Sequence, residues 1–330
     1  MEEVVTVKED LGIRNYSILI PIYNGCNYLD SLRRQLMSIS PEGIEFVIVN
    51  DGSTDIHEKD FVEFFNLLQN CKIVTKHHTG LVESLNIGIK NCAYEFVARF
   101  DVDDEFISER FVMQHEYLSK NGECSAVFCD YEILSSKGRT LGVLPSAVFP
   151  DLVKLSLINP QRTPHPGVMF RKSKVLAAGG YRHEEFPAED LGLWIRLLEF
   201  GSLGSIPSVL LRYKMNSTGI SSTKRLEMKL KTIQLLKAFS ISISSEEFIS
   251  NTMHSFSGYK EYSHRGIREA LALRDLLKLL YFGKFNLGFK LKTFLKILCK
   301  LLRLRLIVSC VLLLIEALKR QAIRKGFISK

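Results

Sequence analysis

The stretch Ala98-Arg99-Phe100-Asp101-Val102-Asp103-Asp104 places three carboxylates directly after a run of apolar residues. That run, residues 96–98 with Phe100, is typical of a buried strand, so the carboxylates lie where the strand leaves its sheet. Carboxylates this close repel one another unless a cation lies between them, and such oxygen-rich sites suit Mg²⁺ or Mn²⁺ shared with substrate phosphates. The stretch therefore predicts a metal–diphosphate site. The alternative is a solvated acidic turn in which Asp103 or Asp104 is the N-cap of a helix.

Three further apolar runs precede this stretch, and each ends at polar or turn-forming residues. Residues 17–20, 46–49 and 71–74 are predicted strands, and helical patterns separate them, the first over residues 28–38. This alternation predicts a parallel α/β sheet whose ligands bind beyond the carboxyl ends of its strands, which Tyr23, Asp51 and Asp101 follow. The chain lacks both GxGxxG after the first strand and GxxxxGK[ST], which argues against a dinucleotide oxidoreductase and a P-loop NTPase.

Composition and charge limit the class of protein. The chain has 330 residues, 46% of them hydrophobic, enough for one large domain or two smaller ones. Residues 1–5 carry acids where a secretory signal has basic residues, and the seven scattered cysteines form no CxxC pair, so we expect a reducing cytoplasm. The formal net charge is +8, but residues 278–330 alone carry +12, which leaves residues 1–277 with −4. The charge therefore does not predict nucleic-acid binding.

Four motifs in this order resemble glycosyltransferase family 2. They are Ile20-Pro21-Ile22-Tyr23-Asn24, Val49-Asn50-Asp51-Gly52-Ser53-Thr54-Asp55, Gly80-Leu81 with Leu85-Asn86-Ile87-Gly88, and the stretch 98–104. The resemblance covers about residues 15–221 and implies the GT-A fold, a Rossmann-like mixed α/β sheet, and an inverting enzyme that uses a nucleotide-diphospho-sugar. We predict a GT-A catalytic domain over residues 1–221 and a helical C-terminal region over residues 222–330.

The resemblance also implies roles for site residues. Tyr23 is expected near the nucleotide base, Asp51 on the uracil, Asp101 near the ribose and diphosphate, and Asp103 on Mn²⁺ or Mg²⁺. The alternatives are a place in the core for Tyr23 and an ordinary turn for Asp51. The whole predicted donor site consists of Pro21, Tyr23, Asn24, Asp51, Gly80, Asn86, Arg99 and Asp101.

A second acidic motif, Glu189-Asp190-Leu191-Gly192-Leu193-Trp194, has the pattern of a helix. Asp190 then heads a stripe that continues with Trp194 and Leu197. The residues alone favour Asp190 as a helix cap, whereas the resemblance implies that it is the catalytic base. Glu189, Trp194 and His165 are additional candidates, and for His165 a structural role in its proline-rich loop is the alternative. Near residue 216 the family usually has a histidine, and whether Asn216 or Lys214 helps to bind the diphosphate stays open.

The C-terminal tail carries a signal of its own. Between residues 291 and 302, leucines and Phe294 recur at helical spacing, while Lys292, Lys296 and Lys300 lie opposite them. The uncharged run 306–315 is shorter than the roughly 20 residues that span a bilayer. The tail therefore predicts a basic amphipathic helix in the membrane interface. The alternative is a helical subdomain that packs on the catalytic body or on a second protomer.

These observations predict a metal-dependent inverting glycosyltransferase that is peripheral on the inner face of the cell membrane. Its donor is expected to be a UDP-sugar, and its acceptor a saccharide linked to a lipid such as undecaprenol, as in bacterial polysaccharide biosynthesis. One alternative is a sugar nucleotidyltransferase, although residues 21–25 are not the glycine-rich loop with Arg and Lys that such enzymes carry. The other is a binding module that has lost its chemistry, against which the intact Asp190 and the paired Asp101 and Asp103 argue.

Overall fold

The computed structural model describes residues 15–39, 42–144, 146, 157, 163–217 and 219–242. Its strands are β1 (Tyr16–Ile22), β2 (Ile44–Asn50), β3 (Cys71–Thr75), β4 (Phe96–Arg99), β5 (Glu105–Phe106), β6 (Cys124–Leu134), β7 (Thr140–Leu144), β8 (Met169–Arg171) and β9 (Ser202–Lys214). They form one mixed sheet in the order β3-β2-β1-β4-β8-β6-β9-β5, and β7 pairs with β6.

Helices cover both faces of this sheet. They are α1 (Cys26–Met37), α2 (Glu58–Phe65), α3 (Leu81–Asn91), α4 (Glu109–Lys120), α5 (Lys172–Ala177), α6 (Glu189–Leu197), α7 (Ile220–Thr223) and α8 (Arg225–Ser242). Short 3₁₀ turns lie at His165–Gly167 and His183–Glu185.

The first half of the sheet is parallel, as predicted. β1 lies between β2 and β4, and β2 also pairs with β3. Leu19 packs into the core on one face, whereas Ile18 and Ile20 pack into the core on the other. Because both faces are covered, β1 is apolar from Ile18 to Ile22 instead of alternating.

Pro21 lies inside β1, whereas the sequence analysis ended this strand at residue 20. The register pairs Pro21 with Val49 of β2, while pairing with β4 stops at Leu19. Pro21 therefore lies where β1 has a strand neighbour on one side only, a position at which a sheet tolerates a residue without an N–H.

The second half of the sheet is mixed, so the expectation of a parallel sheet is wrong there, and the mixed sheet implied by the resemblance is confirmed. β8 is antiparallel to β4 and to β6, while β6 and β9 are parallel. One long strand, β6, runs through residues 124–134, and Cys129 and Asp130 in its middle are buried in extended conformation.

The C-terminal region is described only as far as Ser242. α8 confirms a helix after residue 223, and on it Leu226 and Leu230 are 69% and 60% exposed, whereas Leu236 is buried. Among the described residues, no helix is long and apolar enough to cross a membrane. The amphipathic segment 291–302 lies outside the described residues, and the domain boundary at residue 221 stays a prediction.

Candidate active site

The carboxyl ends of β1, β2 and β4 meet at one edge of the sheet. The backbone N–H of Asp51 donates to Ile22 at 2.8 Å, and that of Phe100 donates to Leu19 at 3.0 Å. Tyr23, Asp51 and Asp101 each follow one of these ends, so parallel pairing brings together residues that lie far apart in the chain.

Three carboxylates form a cluster after β4. Oxygen atoms of Asp101, Asp103 and Asp104 lie within 4.8 Å of one another. Oδ1 of Asp104 accepts the backbone N–H of Lys214 at 2.9 Å, but its Oδ2 is buried and has no hydrogen-bond partner among the described residues. A buried oxygen without a donor is costly, and a cation would satisfy it.

The helix-cap alternative for this cluster is wrong, because the next helix, α4, begins at Glu109 with Ser108 as its N-cap residue. The structure also places Asp104 in the cluster. The sequence analysis counted Asp104 among the three carboxylates but assigned the metal to Asp103.

Burial raises the pKa of Asp101 and of Asp104. The pKa of Asp101 rises to about 6, because burial and the charge of Asp103 outweigh the opposing effect of Arg99. Burial, followed by the charges of Asp101 and Asp103, raises the pKa of Asp104 well above its ordinary value. A divalent cation would favour the charged forms and reverse these shifts, so the group is chemically suited to one.

Arg99 is the cation next to this cluster. Its side chain is 4% exposed, and its Nη2 pairs with Asp101 at 2.5 Å. Its Nε and Nη1 are buried and have no partner among the described residues. The guanidinium also acts electrostatically on Glu189 and Asp190. Two unused donors on a buried guanidinium suit an anionic oxygen of a substrate.

Asp190 is the second residue of α6, and Ala188 occupies the N-cap position. Its Oδ1 nevertheless accepts the N–H of Leu191 at 2.7 Å, which orients the half-buried carboxylate. Glu189 is buried, and one of its carboxylate oxygens lacks a partner among the described residues.

Burial raises the pKa of both neighbouring acids. For Asp190, the hydrogen bond from the N–H of Leu191 and the charge of Arg99 oppose this rise. For Glu189, burial, followed by the charge of Asp190, raises the pKa to about 8, so Glu189 holds a proton at neutral pH. A proton on Glu189 removes a like charge next to Asp190, which favours the ionised Asp190 that a general base requires.

His165 packs against Trp194, which is a residue of α6. Nε2 of His165 lies 2.8 Å from the hydroxyl oxygen of Tyr181, and its ring packs at 82° to that of Trp194. Burial, followed by the charge of Arg99, lowers the pKa of His165 well below its ordinary value, so it is neutral. Trp194 is fully buried against Phe128. These contacts favour structural roles for both residues.

Tyr181 is a residue that the sequence analysis missed. The charges of Asp190 and Glu189 contribute to raising its pKa, after burial, which places its hydroxyl near both acids. No motif included Tyr181, because its proximity to α6 arises only from the fold.

Asp51 lies at the end of β2 in a pocket with Tyr23. Its carboxylate accepts the backbone N–H groups of Thr79 at 2.9 Å and Gly80 at 3.0 Å, and it pairs with Lys76. Gly80 is the N-cap residue of α3, with φ +94°. Asp51 therefore anchors the start of α3, rather than a turn of its own. Tyr23 is 46% exposed, so it is not part of the core and presents a ring surface.

Two asparagines of the predicted donor site make hydrogen bonds to the backbone of loops. Asn24 accepts the N–H of Thr54 at 2.8 Å and so joins the loops after β1 and β2. Asn86 bonds both the N–H and the C=O of Tyr181, at 2.9 and 2.8 Å. Pro21 is buried in β1, Asn86 is half-buried and Asn24 is exposed.

The end of β9 and the segment after it contact the acidic cluster. Asn216 donates from Nδ2 to Asp103 at 3.0 Å, and the same nitrogen lies 3.4 Å from the hydroxyl of Tyr28. Lys214 contributes its backbone N–H to Asp104. The family usually has a histidine near this position. In this chain the side chain that contacts the predicted metal ligand Asp103 is the amide of Asn216.

Comparison with known proteins agrees with this geometry. Residues 17–173 match the model of glycosyl transferase family 2. The amylovoran biosynthesis glycosyltransferase AmsE of Erwinia amylovora is 27% identical over 72% of this chain and 90% of its own length. The UDP-Gal:alpha-D-GlcNAc-diphosphoundecaprenol beta-1,3-galactosyltransferase of Escherichia coli is 27% identical over 57% of this chain and 70% of its own length.

A solved structure supports the same assignment at the level of the fold. S. aureus TarS 1-349 in complex with UDP-GlcNAc matches with a TM-score of 0.57 and 16% identity, over 80% of this chain and 81% of that one. The family model begins in β1 and ends just after β8, so it includes all four motifs named above. Residues 17–173 of this chain therefore form a glycosyl transferase family 2 domain.

Proposed function

We propose that this protein is an inverting glycosyltransferase that moves a sugar from a UDP-sugar to a saccharide acceptor. One observation carries the proposal: the carboxylate cluster after β4 and Asp190 at the start of α6 both interact with the buried guanidinium of Arg99. A group suited to a metal diphosphate and a group suited to proton abstraction therefore share one site.

The acid–base step belongs to Asp190. Its carboxylate takes the proton of an acceptor hydroxyl as that oxygen attacks the anomeric carbon from the side opposite the diphosphate. Direct displacement inverts the anomeric centre, so an α-linked donor gives a β-linked product. The bond from Leu191 N–H to Asp190 fixes the direction in which the carboxylate points.

The other half of the site would stabilise the leaving group, the nucleotide diphosphate. Asp101, Asp103 and Asp104 would hold Mn²⁺ or Mg²⁺, which when bound supplies Lewis-acid stabilisation of the diphosphate. Arg99 places its two unused N–H donors beside Asp101, where they can bind an oxygen of the donor as negative charge develops.

The donor and acceptor classes follow from chemistry and from relatives. Tyr23 offers a stacking surface and Asp51 an acceptor, a combination suited to a uracil with its N3–H group. The names of the relatives from Erwinia amylovora and Escherichia coli point to bacterial polysaccharide biosynthesis and, for the second, to a lipid-diphosphate acceptor. We extend both to this chain as proposals.

A screen of nucleotide sugars tests the proposed function. We expect slow hydrolysis of at least one UDP-sugar in the presence of Mn²⁺ or Mg²⁺, and faster turnover once a suitable lipid-linked saccharide is added. GDP- and ADP-sugars serve as matched controls, because a purine presents a larger ring system to Tyr23 and Asp51. If purine donors react as well as UDP-sugars, the assignment of the base pocket is wrong.

We also propose that the tail attaches the protein to the inner face of the membrane. Each basic residue near an anionic surface contributes about 1 kcal/mol, in addition to the burial of apolar side chains. Deletion of residues 285–330 should therefore release the protein from anionic liposomes in a co-sedimentation assay. Hydrolysis of the donor should remain measurable, since the site residues named above end at Asn216.

Salt distinguishes the two contributions to membrane binding. Raising the ionic strength should weaken binding of the full chain without abolishing it, because salt screens charges but leaves apolar burial intact. If the full chain ignores liposomes of every composition and the deletion variant is inactive toward its donor, the tail belongs to the core or to a protomer interface.

A further inference from the structure

The base pocket contains a side chain that no motif predicted. His78 lies in the loop between β3 and α3, and its Nδ1 is 3.0 Å from Oδ2 of Asp51 and 3.2 Å from the backbone oxygen of Asp51. Its ring stacks on the ring of Tyr23, with centroids 3.9 Å apart and planes 19° from parallel. A planar nitrogen heterocycle therefore already bridges the two residues proposed to receive the uracil.

The carboxylate of Asp51 is surrounded on all sides in this arrangement. It accepts hydrogen bonds from three donors, the N–H groups of Thr79 and Gly80 and the ammonium of Lys76. Nδ1 of His78, 3.0 Å from Oδ2, occupies the position of a fourth, which is about the number that a carboxylate accepts. An incoming base N–H can reach this carboxylate only if one of them leaves.

His78 is the donor that can leave most readily. The two backbone donors belong to the start of α3, and the Lys76 side chain is only 11% exposed and also bonds Thr79 at 2.5 Å. The His78 side chain is 51% exposed. Rotamer changes of exposed side chains are fast and do not require the backbone to move.

The backbone holds His78 at this place. Gly52, with φ +67°, passes so close to the loop that an added Cβ would lie 2.7 Å from the backbone nitrogen of His78. The loops after β2 and β3 are therefore in contact at this point, and the His78 side chain starts directly beside Asp51.

We infer that the His78 imidazole occupies the place of the nucleotide base between Tyr23 and Asp51, and that it must swing out before a uridine nucleotide binds. This inference rests on the proposed function, which assigns a uridine donor to this pocket. The side chain then sets the affinity for the donor, because a site that is only partly open binds its ligand more weakly by the fraction that is open.

The test compares two ligands with three proteins. Binding of UDP and of inorganic pyrophosphate, each with Mn²⁺, is measured by calorimetry on the full-length wild type, His78→Ala and His77→Ala. The Kd for UDP should fall about threefold or more in His78→Ala, because the competing ring is gone. The Kd for pyrophosphate should not change, because it has no base. His77→Ala is the matched control. His77 is exposed and directly precedes the tested residue, so this variant should bind both ligands as the wild type does.

Other results would overturn the inference in distinguishable ways. Weaker UDP binding by His78→Ala would make His78 a contact of the bound base, and unchanged binding would remove it from the pocket. Equal tightening of UDP and pyrophosphate would assign the effect to the loop as a whole. If neither the wild type nor His78→Ala binds UDP while both bind pyrophosphate, the uridine assignment fails and the inference falls with it.

Discussion

Asp190→Asn should reduce turnover by about 10²–10⁴-fold while UDP binding stays close to that of the wild type, since the change removes a general base and keeps the shape of the side chain. The amide oxygen can still accept the N–H of Leu191, so the start of α6 should be preserved. Single-turnover transfer to the acceptor and calorimetry with UDP measure the two quantities separately.

Stability provides the folding control for this variant. The pKa of Asp190 is raised in the folded protein, so its ionisation opposes folding, and that cost appears as the pH rises through the window between the unfolded and folded pKa values. At neutral pH, Asp190→Asn should therefore have a Tm no lower than that of the wild type. Glu199→Gln, an exposed site just after α6, should change neither Tm nor turnover. Turnover within a few-fold of the wild type in Asp190→Asn would remove Asp190 as the base.

Asp103→Ala should abolish metal-dependent binding of UDP, with a loss of more than about 100-fold in affinity for Mn²⁺, because even an outer-shell partner of a metal ligand is worth 10–100-fold. Mn²⁺ affinity can be measured directly by electron paramagnetic resonance, without any substrate. The variant also frees the Nδ2 donor of Asn216 from Asp103, and this half-buried nitrogen keeps its contact with the hydroxyl of Tyr28 at 3.4 Å.

Asp104→Asn separates charge from structure in the same cluster. Its side-chain oxygen can still accept the N–H of Lys214, while the buried oxygen that lacks a partner becomes an amide nitrogen. We expect weaker Mn²⁺ binding at an unchanged Tm. Asp60→Asn, on the exposed first turn of α2, is the matched control and should bind Mn²⁺ as the wild type does. Full donor turnover by the wild type in excess chelator would exclude a metal role for the cluster.

Much of this site is encoded locally in the sequence. A strand covered on both faces is apolar on both, so the central residues of β1, β2 and β4 are visible as short apolar runs. Polar residues can follow such a run only where the strand leaves the sheet, and this is why Asp51 and Asp101 mark its edge. The motifs add the family, and with it the expectation that Asp190 belongs to the same site.

The tertiary structure decided the rest, because it depends on contacts between residues distant in the chain. The direction of β8 is set by its pairing with β4 and β6, which its own three residues do not encode. Asn86 and Tyr181 meet across 95 residues, so a motif asparagine becomes the support of a loop. The proton on Glu189 arises from burial, and His78 lies on Tyr23 because two loops meet at Gly52. Sequence patterns indicate which side chains must be buried. The residues that they contact in the core depend on how the chain closes its long loops.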